Sequence, residues 1–424
     1  MRMNWKRYKV FYGWWIVAAC FGVALYIGGI VIFGFTAIFE PVANEFGWSY
    51  AQISFAASLR GLEMGLLAPL MGLLVDRWGP RQLMFGGVIL IGLGLTLLSR
   101  TTSLGMFWGV FALIAIGMSA CVGTVMMTAV SNWFRKKLGI AAGIVLSGFG
   151  FSGLLIPGVV RLVDTYDWRT AMVIFGVGMW VIGLPLSLLL RRNPEQYGYL
   201  PDGEASSTVT VDESLTLTQT AEEEIGPRQA LTSRAFWHIA LALMCQMLVV
   251  MAVITHVMPY LSSIGITRST SSLIAMGIPL VSIGGRLGFG WLGDKFDKRR
   301  VATVGFAMMG LGLLFFGYVA NGGMWLLVPF FIFFGVGYGG LVIMRVTLVR
   351  EYFGRSRFGT IHGFTIGVMM LGNLIGPPLA GWVFDNWGSY QGIWFVFAGL
   401  VIVALIIMAT TPPIGEATRL ADKG

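Results

Sequence analysis

GLLVDRWGPRQLM (Gly72–Met84) and GWLGDKFDKRRVA (Gly290–Ala302) decide the fold. The second stretch lies 218 residues after the first and registers on it: Gly72 on Gly290, Asp76 on Asp294, Arg77 on Lys295, Arg81 on Arg299. Each is a knot of charge between two apolar runs, so each reads as the place where one helix ends and the next begins. A looser echo joins NWFRKKLGIAAG (Asn132–Gly143) to EYFGRSRFGTIHG (Glu351–Gly363). Matching features at a fixed spacing point to a duplicated chain.

Composition sets the solvent. The 424 residues are 56% hydrophobic and only 12% charged, whereas a soluble domain carries roughly 25% charged residues. Apolar runs of about 20 residues place the chain in a bilayer. The net charge of +9 does not form one basic patch. It punctuates the ends of the apolar runs, so a nucleic-acid partner is not expected. Cys20, Cys121 and Cys245 all lie inside apolar runs and read as small core residues rather than disulfide or metal ligands. No phosphate-loop, HExxH or cysteine–histidine metal spacing is present, so the expectation is no enzyme and no cofactor.

Twelve helices are predicted, over 13–39, 50–75, 82–99, 104–131, 138–163, 168–190, 237–262, 270–293, 300–320, 324–351, 358–384 and 390–411. The first run follows MRMNWKRYK, is too long for a signal-peptide core and lacks a cleavage site, so it is expected to be retained. With the N-terminus inside, 23 of the 29 Lys and Arg fall on cytoplasmic segments. Arg100, Arg161, Arg169 and Arg268 fall outside, and Arg60 and Arg286 fall within spans. That bias predicts both termini in the cytoplasm. Residues 191–235 contain EASSTVTVDESLTLTQTAEEE (Glu204–Glu224), polar, acidic and free of aromatics. They read as a mostly disordered linker between a half at 1–190 and a half at 236–424, with a regulatory role as the alternative. Two six-helix halves around a midplane site form a transporter architecture.

The stretch from Gly72 to Arg81 resembles the Gly-x-x-x-Asp-Arg/Lys-x-Gly-Arg/Lys-Arg/Lys signature of the major facilitator superfamily, at the loop where that family carries it. The second copy departs from it, with Asp297 where the signature has glycine. The resemblance covers essentially all twelve helices and implies an all-α membrane fold of two pseudo-symmetric six-helix halves. Physically, Asp76 can pair with Arg77 and Arg81, and Asp294 with Lys295 and Arg299, or each can cap the next helix. Such contacts form a cytoplasmic gate; the alternative is a cluster that only sets topology.

YGWWIVAACFGV (Tyr12–Val23) and NWFRKKLGIAAGIVLSGFGFSG (Asn132–Gly153) narrow the branch. The second resembles the run into helix five of the monocarboxylate transporters and their bacterial relatives, a branch that also holds oxalate/formate exchangers. By that resemblance Arg286 stands where the family places its substrate-pairing arginine. Two family charges are missing: Ser282 stands for an aspartate and Phe33 for a lysine. Helix eleven offers only His362, so one cation in the cavity favours a monoanion.

Charges at membrane depth cost roughly 3 kcal/mol or more each, which makes them functional candidates. Arg286 shares a face with Ser282 and Gly290; a guanidinium suits a carboxylate. The alternative is an ion pair with Glu63 or a cap on backbone carbonyls. His256, in VITHVMPYL (Val253–Leu261), is a candidate for substrate or proton binding, or a packed histidine. Arg60 and Glu63 stand at i and i+3, spaced to pair with each other, with a proton-binding role for Glu63 as the alternative. Tyr338, Asn373 and Tyr26 are near mid-span and able to bind a carboxylate or hydroxyl, or simply to pack. GFGFSG (Gly148–Gly153) and GVGYGG (Gly335–Gly340) read as close helix contacts. The expectation is a monomeric, proton-coupled carrier of a small carboxylate such as lactate or pyruvate in a cytoplasmic (inner) membrane. An anion exchanger is the alternative within transport, and a membrane anion sensor the alternative outside it.

Overall fold

The computed structural model of the protein describes residues 11–134, 137–192, 194, 227–354 and 358–412. Twelve helical spans cross in sequence: α1 Gly13–Phe46, α2 Tyr50–Trp78, α3 Pro80–Leu98, α4 Leu104–Trp133, α5 Leu138–Tyr166, α6 Trp168–Leu188, α7 Arg234–Ser263, α8 Arg268–Lys295, α9 Lys298–Gly322, α10 Met324–Phe353, α11 Phe358–Trp387 and α12 Gln391–Ala409. Each is long and apolar enough to cross a bilayer. Most of the expected linker, and the disorder expected of it, lies outside the described residues. Its last part forms a short helix, Pro227–Thr232.

The repeated charge knots stand at the predicted junctions. In the first, α2 gives way to α3 at Gly79, whose φ of 85° is a left-handed conformation that favours glycine. In the second, Asp297 has φ −53° and caps α9 by accepting from Arg300 N. The missing signature glycine is thereby explained: the second turn needs no positive φ, and the carboxylate serves the helix start instead.

The first span runs past its expected end at 39, through Glu40 and Pro41 to Phe46. Glu40 stopped the apolar run, but its charge is paired with Arg268. Pro41 has no N–H, so the carbonyl four residues earlier, Ala37 O, lacks its usual helical donor. Arg268 Nη2 fills that place from α8 at 2.9 Å. Pro377 in α11 does the same to Asn373 O, which accepts from Ser58 Oγ of α2 at 3.0 Å. In both cases a proline frees an acceptor and the other half of the molecule supplies the donor.

Two seams join the halves. Along α2 and α11 they run from Tyr50 on Phe384, through Gly61 on Asn373, to Gly65 on Met370. Along α5 and α8 they run from Asp164 on Arg268, through Gly153 on Met276 and Gly150 on Ile283, to Leu146 on Arg286. Further toward the Asp76 end, Gly363 and Gly367 of α11, Gly139 and Gly143 of α5, and Gly288 and Gly290 of α8 face open space. The halves are zipped at the Arg268 end and part toward the Asp76 end.

Candidate functional site

The site lies where the seams end. Arg286 Nη1 donates to Leu146 O of α5 at 2.8 Å, and its Nε is buried without a hydrogen-bond partner among the described residues. The carbonyl contact realises one of the two structural alternatives; an ion pair with Glu63 is not formed. A single backbone acceptor leaves most of the guanidinium's five donors for another group.

Arg345 corrects the expectation of one cation in the cavity. The count of basic residues put it on a cytoplasmic segment although the expected helix 324–351 contains it, and it lies within Val336–Phe353, the last helical segment of α10. Its Nε is also buried without a hydrogen-bond partner among the described residues. α8 and α10 run side by side in one direction, with Gly339 against Ser282, Gly340 against Phe289 and Gly293 against Met344. In that register Arg345 starts about one and a half turns nearer the Asp76 end than Arg286. Helical side chains lean back toward their own N-terminus, and since α8 and α10 run the same way, the Arg286 and Tyr338 side chains lean with that of Arg345 and the offset is kept. Both lie within electrostatic reach of Arg345. Tyr338 and Arg345 are seven apart and share a helix face. His362 of α11 is within electrostatic reach of Arg345 as well.

Arg60 and Glu63 do not pair, despite their spacing. Arg60 turns into the first half, where Nη1 donates to Val31 O and the guanidinium lies 5.9 Å from the Phe35 ring centroid. Val31 sits in the wide helical turn Ile27–Ile32 of α1, so the arginine caps a local break in helix bonding. The Oε2 of Glu63 is buried without a hydrogen-bond partner among the described residues.

His256 is fully buried, not lining the open part of the cleft. Its Nε2 lies 2.9 Å from both Pro377 O and Ser54 Oγ, and its Nδ1 lies 2.9 Å from Tyr390 Oη. Pro377 O only accepts, so Nε2 carries the proton and Nδ1 accepts from Tyr390. Ser54 Oγ donates to Tyr50 O. The ring is satisfied and ties α2 to α7, α11 and Tyr390. Asn373 belongs to the same seam: Nδ2 donates to Ser58 O at 3.2 Å.

Ser282 is buried and donates to Pro279 O of its own helix at 2.6 Å. Tyr26 Oη donates to Phe175 O of α6 at 2.7 Å. At the open end Asp76, Arg77, Arg81, Asp294 and Lys295 are all exposed. Arg192 donates to Asp76 O, Lys295 lies 4.1 Å from the Trp291 ring centroid, and Arg299 Nη1 donates to Thr411 O at 2.6 Å.

At the zipped end sequence reasoning missed the acids. Arg268 pairs with Glu40 at 3.0 Å and Asp164 at 2.9 Å. Asp385 accepts from Tyr50 N and Ala51 N with its two oxygens, at 2.9 Å each. It thus caps the start of α2 from the opposite half, where an anion meets the helix dipole. No local sequence pattern marks these pairs; the one available signal was the intrahelical prolines, which foretell freed carbonyls.

The sequence profile of the Major Facilitator Superfamily matches residues 15–287 and 257–423. Monocarboxylate transporter 12-B of Danio rerio is 25% identical over 97% of this chain and 89% of its own length. Human monocarboxylate transporter 2 is 23% identical over 93% and 84% of the two chains, and human monocarboxylate transporter 11 is 25% identical over 95% and 83%. Among solved structures, a bacterial homologue of the human lysosomal transporter Spinster superposes with a TM-score of 0.69 at 15% identity, covering 97% of each chain. Twelve spans, a duplicated charge knot and a profile match across both halves agree, and the chain belongs to the major facilitator superfamily as a monocarboxylate-transporter-like, multi-pass membrane protein.

Proposed function

We propose that the chain is a secondary active transporter of small carboxylates, with monocarboxylates such as lactate and pyruvate held on Arg286. Arg286 carries this reading. It stands where the two halves part, spends one donor on the opposite half, and presents the rest of a planar fork that matches a carboxylate. The names of the relatives support the same substrate class. Tyr338 stands beside the bound carboxylate. His256, Asn373 and Tyr26 hold the scaffold around it, and Ser282 packs α8 on α10.

Transport proceeds by rocking of the halves, 1–190 and 236–424, about this site. The excess of Lys and Arg on one side puts both termini in the cytoplasm of a cell with this chain in its inner membrane. The Arg268 end then faces outward and is closed, while the Asp76 end is open to the cytoplasm. Asp76, Arg77, Arg81, Asp294, Lys295 and Arg299 form the gate that latches when that end closes. The carrier works as a monomer coupled to protons. Among His256, Glu63 and Arg286, the unpartnered Glu63 oxygen favours Glu63 as the proton carrier.

Lactate uptake into proteoliposomes, driven by an inward pH gradient, tests the reading. Arg286→Ala is expected to abolish uptake, and near wild-type uptake sinks the assignment. Arg345 beside Arg286 favours a second mode, anion exchange: two cations at membrane depth hinder return of the empty carrier. Counterflow that persists without a pH gradient, with no uptake driven by one, marks that mode.

A further inference from the structure

We propose that Arg345 forms a second anion position beside Arg286, so that the site binds small dicarboxylates more tightly than the matching monocarboxylates. The inference rests on the reading of Arg286 as a carboxylate anchor and adds the second charge that the ligand carries.

Two arginines at membrane depth are normally matched by acids. Here neither Arg286 nor Arg345 has an ion-pair partner among the described residues. Among the described residues, the charged or polar side chains within electrostatic reach of Arg345 are Arg286, Tyr338 and His362, with no carboxylate among them. Glu63, on α2, makes no ion pair with either arginine. A monocarboxylate on Arg286 therefore leaves one uncompensated cation in the bilayer core, and a dicarboxylate leaves none.

The geometry separates the two positions. Arg286 is fixed laterally by Leu146 O at the end of the α5–α8 seam. Arg345 rises from α10, about one and a half turns closer to the open end, and α8 is locked to α10 by glycine contacts at Gly285, Gly339 and Gly340. One carboxylate on each fork spans the gap along the helix axes. The unpartnered Nε of each arginine is the donor left over for it. Tyr338, two turns before Arg345 on the same face, stands near the level of Arg286, where Val336 meets Gly285 and Gly339 meets Ser282.

The test measures dissociation constants on the purified full-length chain for malonate, succinate and glutarate, against acetate, propionate and lactate. In the wild type at least one dicarboxylate is expected to bind about tenfold or more tighter than propionate, the affinity worth of one charge-assisted hydrogen bond. Arg345→Gln is expected to erase that preference while leaving propionate within about twofold. Arg286→Gln is expected to weaken both classes. Arg345→Lys keeps the charge without the fork and retains part of the preference, which also covers a poorly folding Arg345→Gln. A wild type that binds propionate as tightly as every dicarboxylate overturns the inference and leaves the transporter reading intact. Equal losses for both classes in Arg345→Gln also overturn it, since both arginines then serve one carboxylate. Failure of every carboxylate to bind the wild type sinks the Arg286 reading itself.

Discussion

Asp167 is the one non-glycine among the described residues with a left-handed φ, 71° at ψ 163°. The strain is held because its carboxylate caps α6, accepting from Thr170 N at 2.8 Å and Thr170 Oγ1 at 3.1 Å. Asp167→Ala keeps the strain and loses the cap, so it is expected to cost about 1–2 kcal/mol. Asp167→Gly loses the cap but relieves the strain, and is expected to cost less. The Thr170 amide holds the Asp167 carboxyl below its ordinary range. A depressed folded value means that the cap's charge-dependent share is complete above the ordinary aspartate range and fades as pH falls through the lowered one. Thermal melts of wild type and Asp167→Ala should converge on acidification; a gap that ignores pH removes the charge from the explanation.

At mid-span, Glu63 and Arg345 show how a single residue is read and misread. The i, i+3 spacing of Arg60 and Glu63 was legible, but which way Arg60 turns depends on the unpaired carbonyl in α1, 29 residues away in sequence. Arg345 was hidden by its neighbours Arg350, Arg355 and Arg357, which made it look like the edge of a loop cluster. The apolar context LVIM before it and VTLV after it, and its seven-residue spacing from Tyr338, held the opposite information. Glu63→Gln removes the exchangeable proton with little change of shape. It is expected to abolish uptake driven by a pH gradient and to spare lactate counterflow. Gradient-driven uptake that survives in Glu63→Gln moves the proton role to another group.

Helix packing explains why glycines at two places in the sequence do different work. In the seam between halves, a β-carbon at Gly153 would stand 2.7 Å from Met276 O, a backbone atom that cannot yield alone. Gly376, in contrast, meets the Leu248 backbone of α7 within one half. Gly153→Ala should therefore loosen the Arg268 end while leaving each half folded, whereas Gly376→Ala should lower the melting temperature of the protein. Thiol labelling of a cysteine placed at Met276 on α8, whose backbone meets Gly153 in the seam, reads the difference. Faster labelling is expected in Gly153→Ala alone, and equal rates in both variants would mean that the seam is not what Gly153 sets. The spans themselves were legible because the bilayer demands long apolar runs with charge at their ends. The seams were not, because Gly-rich faces look alike whether they meet a partner or open space: GFGFSG packs, while Gly139 and Gly143 of the same helix do not.

At the scale of the molecule, the zipped end is a stack of contacts between halves: Arg268 on Glu40, Asp164 and Ala37 O; Asp385 on the start of α2; His256 on Ser54; and Asn373 on Ser58. A rocking carrier must break this stack once per cycle, so its strength sets a population ratio rather than a folding energy. The Arg268 pairs are partly exposed, with side-chain accessibilities of 25% for the arginine, 15% for Glu40 and 44% for Asp164. Each is therefore worth about 1 kcal/mol, not the several of a dry pair. Removing both acids in Glu40→Gln/Asp164→Asn leaves Arg268 with the carbonyl freed by Pro41, and is expected to shift the closed-to-open ratio at this end about thirtyfold toward open. Spin labels on exposed positions of α1 and α8 at this end, read as a distance distribution, measure that ratio directly. A shift that adds between the two single variants is expected, since each acid meets a different atom of the guanidinium, Nη1 for Glu40 and Nε for Asp164. If the double variant keeps the wild-type distribution, the polar clasp is a passenger and the glycine seams and the His256 layer alone hold this end shut.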